Sequence, residues 1–64
     1  GMPIKTQAVS SKTTLKRLVS LLDLNAMNRV EVYDGKDKVA TLSQKRLEEI
    51  IEKGEIYSPI GKFL

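Results

Sequence analysis

A chain of 64 residues with 41% hydrophobic, 30% charged and only 5% aromatic residues has the balance of one small globular domain, which excludes a disordered tail or a membrane span. Cys and His are both absent, which removes disulfides, thiolate metal sites, most zinc, haem and iron–sulfur chemistry, and Ser-His or Cys-His catalysis. The net charge of +3 is uneven: Lys5, Lys12, Lys16 and Arg17 give residues 1–22 a charge of +4 with no acid, and residues 23–64 sum to −1.

Gly1-Met2 reads as a cleavage scar before an initiator methionine, so Gly1 is left out of the fold. Residues 1–9 read as a weak strand or flexible arm, with Ile4, Thr6 and Ala8 on one face and Pro3 suited to an edge. Ser10-Ser11-Lys12-Thr13 is rich in capping residues. Leu15, Leu18, Val19 and Leu22 then fall at i, i+3, i+4 and i+7, and with Leu21 they predict an amphipathic helix over 13–24 whose apolar arc spans about 160°. Leu24 lies off that arc, and Asn25 and Asn28 mark the turn that follows.

Val30 to Tyr33 and Val39 to Leu42 flank an Asp34-Gly35 turn, a hairpin signal. A two-residue Asp34-Gly35 loop pairs Val30 with Val39. A four-residue loop pairs Val32 with Val39 and is preferred, because Val30, Val32, Val39 and Thr41 then share a face. Ser43 is the expected N-cap of a second helix over 44–53, with Leu42 and Leu47 at hydrophobic-staple spacing, although Thr41 and Gln44 offer a competing capping box. Leu47, Ile50 and Ile51 form its buried stripe, Glu49 and Lys53 an i,i+4 pair, and Gly54 its left-handed end. Residues 10–58 are thus the expected core of a single domain, and 59–64 an apolar tail after a short strand at Glu55–Tyr57. The fold class is α+β, two helices around a central β-hairpin. Counting both weak strands, the order becomes β-α-β-β-α-β, the split βαβ motif.

No catalytic constellation emerges. The eight carboxylates lie in turns or on solvent faces rather than paired in a cleft, and Asp34-x-x-Asp37 is turn chemistry rather than a calcium loop. The four glycines form no phosphate-binding loop, and none of the five serines sits in a nucleophile elbow. The chain is therefore expected not to be an enzyme and to hold no cofactor or metal. An anion could be cradled at the start of the second helix by Ser43, Lys45 and Arg46, where cations oppose the helix dipole. Nucleic-acid folds fit poorly: a hairpin separates the helices, G-x-x-G is absent, and Tyr33 is the hairpin's lone aromatic.

The apolar residues are the more useful signal. A chain this short buries only about 60% of its unfolded surface, and without disulfides or metals, association is the remaining source of stability. Function is not readable directly, and the expectation is a small non-catalytic protein-interaction module. It would be cytoplasmic, since no export signal is visible, would not bind membranes, and would self-associate through Ile56, Ile60, Phe63, Leu64 and a hairpin edge. The alternative is a nucleic-acid-binding or regulatory accessory protein contacting phosphate through Lys5, Lys12, Lys16 and Arg17, with Lys45 and Arg46.

Overall fold

A computed structural model describes residues 1–64. The N-terminal segment is an ordered strand, β1 (Ile4–Ser10), followed by helix α1 (Leu15–Leu21), a hairpin of β2 (Met27–Asp34) and β3 (Asp37–Leu42), and helix α2 (Gln44–Glu52). A short 3-10 helix spans Ile60–Phe63. The three strands form one sheet in the order β1-β2-β3. β1 runs parallel to β2, from Ile4 opposite Met27 to Ser10 opposite Tyr33, and β2 and β3 are antiparallel. The α+β class thus holds, but no strand forms at Glu55–Tyr57, and β1 lies directly beside β2 with nothing inserted between them. The unit is a simple βαβ crossover continued by a hairpin rather than a split one. No helix is long and apolar enough to cross a membrane.

Period-2 alternation divides the sheet into two faces. In β2, Asn28, Val30 and Val32 are buried, and the residues between them face outward. The buried residues join Leu15 and Leu18 of α1, Leu47 and Ile50 of α2, Leu42, Ile60 and Phe63 in a single core. Both helices therefore cover the same face of the sheet. In β1 it is Gln7 and Val9 that turn inward. Ile4, Thr6 and Ala8 do share a face, but it is the bare one.

α1 is shorter than its apolar pattern because its start is fixed from elsewhere. Thr14 caps it, its Oγ1 accepting the Arg17 N–H at 3.2 Å, while residues 11–13 bond outside the helix: Thr13 and Ser11 accept from the N–H groups of Ile60 and Gly61 at 2.8 Å. The helix ends where Leu22 turns extended. Asn25 lies in the turn as expected, but Asn28 belongs to β2 and is buried.

The hairpin keeps the preferred register only beside its turn, where Tyr33 lies opposite Lys38. Its loop is Gly35-Lys36, with Asp34 opposite Asp37, and the pairing shifts beyond Tyr33–Lys38 so that Val32 faces Ala40 and Val30 faces Leu42. Val39 is the extra residue, a β-bulge. The shift buries Leu42, the larger side chain, instead of Val39 and Thr41, which remain exposed. Gly35 provides the positive φ of 61° that the turn requires.

α2 matches its sequence signals closely. Ser43 Oγ accepts the Arg46 N–H at 3.2 Å, Leu42 and Leu47 both enter the core, and Gly54 has φ 72°. Glu49 pairs with Arg46 at 3.7 Å rather than with Lys53, which lies past the last turn. Ser43→Ala is expected to lower stability by about 1 kcal/mol through loss of this cap. A urea titration followed by far-ultraviolet circular dichroism measures it, and an unchanged midpoint would remove the cap from the account.

Candidate interaction surfaces

The tail is the first correction to the expected interface. Ile60 is fully buried and Phe63 nearly so, both inside this chain's own core. The backbone of the tail runs antiparallel to residues 11–16: Ser58 and Ile56 carbonyls accept the N–H groups of Leu15 and Lys16 at 3.0 and 2.7 Å, and Thr14 bridges Pro59. These bonds satisfy the first donors of α1, which local side chains leave open. At Gly61 an added Cβ would lie 3.1 Å from the Ser11 carbonyl oxygen, so this crossing suits a glycine. Of the four residues expected at the interface, only Ile56 and Leu64 remain exposed.

The basic residues fall into two groups. Lys5 lies on β1, Lys12 in the turn after it, and Lys16 and Arg17 on α1. Lys5, Lys12 and Arg17 have no acidic partner, while Lys16 Nζ stands 5.5 Å from the centre of the Tyr57 ring. At the start of α2 the expected anion cradle is not assembled. Ser43 Oγ is occupied by the Arg46 amide, and the Arg46 guanidinium donates to the Phe63 carbonyl at 2.9 Å, helping to hold the tail. Lys45 stands exposed and unpaired. Among the acids, Glu31 pairs with Lys38 and Glu55 with Lys62, and no three acids are placed together to hold a metal ion.

One uncovered feature that sequence reasoning missed is the outer face of the sheet. Ile4, Met27 and Val39 are 64%, 45% and 50% exposed, interspersed with Thr6, Ala8, Arg29, Glu31 and Tyr33. The alternation Met27, Arg29, Glu31, Tyr33 carried the signal, but it became readable only with Val30 and Val32 fixed as the inner set. An open cleft of about 330 Å³ lies at one end of this face, between Ala8–Ser10 and Tyr33. A second apolar surface is the groove between α1 and α2, about 320 Å³, lined by Val19, Leu22 and Ile51 and flanked by Asp23 and Glu48. Leu24, 93% exposed, stands at its rim.

The two sheet edges differ. β3 carries the bulge at Val39 and the charges of Asp37 and Lys38, features that discourage further strand pairing. β1 is seven residues long, pairs with β2 without a register shift, and carries Lys5 as its sole charge. No protein-family model matches the chain, and no curated protein or solved structure matches it either.

Proposed function

We propose that this chain is a small non-catalytic protein-interaction module that associates with itself. The observation that carries the reading is the two-layer arrangement: both helices cover one face of the sheet, leaving the other face and the β1 edge open. Exposed Ile4, Met27 and Val39 mark that open face, and the unpaired β1 edge beside it is where a second protein surface can attach. The non-catalytic part rests on a chain without His or Cys whose carboxylates are scattered or paired with lysine and arginine. Sedimentation equilibrium from low to high micromolar concentration tests it. The expected result is a mass rising toward twice 7.2 kDa, and a constant monomer mass throughout would refute the reading.

A second reading draws on Lys5, Lys12 and Arg17, none of which is neutralised within the chain. They would contact nucleic-acid phosphate, with an affinity that falls steeply as salt rises. Titration of duplex DNA and single-stranded RNA at low and moderate salt separates the readings, because absence of binding at low salt removes this one.

A further inference from the structure

We propose that two copies join through β1, antiparallel and strand beside strand, into one continuous sheet of twice the width. This deepens the self-association reading above by naming its interface. In a parallel ladder, alternate residues turn their backbone groups toward the neighbouring strand. Two bonds fix which ones do so here: Met27 N–H donates to the Pro3 carbonyl at 2.8 Å and Ser11 N–H to the Tyr33 carbonyl at 2.7 Å. The odd-numbered residues therefore face β2, and the N–H and C=O groups of Ile4, Thr6 and Ala8 point away from it. None of those groups bonds elsewhere in the chain. They form a regular row of donors and acceptors along a flat edge.

A second β1 fits this row because the strand complements itself. Centred on Thr6, an antiparallel pair sets Thr6 against the partner's Thr6 and Ile4 against the partner's Ala8. Every outward group of those residues is then bonded. The lone charge, Lys5, falls opposite the partner's Gln7, so no like charges oppose one another. The Gln7 Nε2 also donates to the Leu21 carbonyl at 2.7 Å, which stations the C-terminal end of α1 beside the middle of β1. The same two-fold axis brings the two half-buried Leu21 residues to the same side of the doubled sheet. On the opposite side it merges two bare faces into one.

Thr6→Pro removes an outward N–H that the subunit itself does not use, and proline is tolerated where an edge strand's N–H faces solvent. Its circular dichroism spectrum should match that of the wild type, while the dimer dissociation constant should rise about tenfold or more as two inter-strand bonds are lost. Thr6→Cys offers an independent readout, since the chain has no cysteine of its own. Directly opposed strand residues stand about 5.5 Å apart between Cα atoms, within disulfide reach. Oxidation should give a covalent dimer, whereas Val39→Cys on β3 should form no covalent dimer under the same conditions. A wild-type dimer that Thr6→Pro leaves intact and Thr6→Cys does not trap would overturn this interface while sparing self-association. A wild type that is monomeric throughout would overturn both. If Thr6→Pro loses its native spectrum, the crosslink decides alone.

Discussion

Ile60→Ala is expected to destabilise the folded chain by about 2–5 kcal/mol, the usual range for emptying a fully buried isoleucine site. Total stability for 64 residues is roughly 3–10 kcal/mol at ordinary values per residue, so the change would remove much of it. The position is costly for two reasons. Its side chain sits among Leu15, Leu18, Leu47 and Ile50 in the one core, and its N–H anchors the tail to Thr13. Loosening that anchor also frees the Ser58 and Ile56 carbonyls that satisfy the first donors of α1. The effect should therefore spread from the tail to α1. Urea unfolding followed by circular dichroism gives the magnitude, and hydrogen exchange at Leu15 and Lys16 shows the spread. Leu64→Ala, at a half-exposed site, should stay within about 0.5 kcal/mol of wild type. Equal small effects at both positions would mean that the tail is not part of the core.

The tail also shows where the sequence stopped being legible. Ile60 and Phe63 could be recognised as needing cover, but nothing local says which surface provides it. The answer lies in hydrogen bonds between segments more than forty residues apart, Ser11 to Thr13 with Ile60 and Gly61. The same partners set the start of α1, which is why a stretch with several capping residues could not be resolved from periodicity alone. α2 was readable because its signals are all local: the Ser43 cap, the Leu47, Ile50 and Ile51 spacing, and Gly54. The hairpin lies between these cases. Its turn was marked by Gly35, but its register depends on which side chains the helices bury, and Leu42 prevails over Val39.

For the candidate surfaces, residue type was a poor guide to availability. Arg46 reads as a free cation, yet it binds the Phe63 carbonyl, and Lys16 lies over Tyr57. Lys5, Lys12 and Arg17 do remain unpaired. The bare sheet face escaped notice because its members mix apolar and charged residues, and no single strand of it reads as an apolar stripe. The open edge is a property of backbone direction, which composition does not encode.

Asn28→Ala is expected to be the most damaging polar substitution, costing about 2–4 kcal/mol by leaving one or two buried groups unpaired. Asn28 is 5% exposed, and its side chain is fully used. Its Oδ1 accepts the Asp23 N–H at 3.0 Å, while Nδ2 donates to the Asp23 carbonyl at 2.9 Å and to Gln44 Oε1 at 3.1 Å. Gln44 Oε1 also accepts the Asn28 backbone N–H at 2.8 Å, so one amide pair ties the turn after α1, the start of β2 and the first residue of α2 together. No buried side-chain polar atom in the fold is left without a partner, and alanine at this position would strip the Asp23 backbone N–H of its acceptor. Because Asn28 and Gln44 share bonds, Asn28→Ala combined with Gln44→Ala should cost less than the sum of the two single changes, by roughly 0.5–3 kcal/mol. Asn25→Ala serves as the control, since the bond at that position uses its backbone N–H and not its side chain. Thermal unfolding of the wild type and the four variants supplies the comparison. Strict additivity, or an Asn28→Ala no weaker than Asn25→Ala, would show that the network does not join these elements.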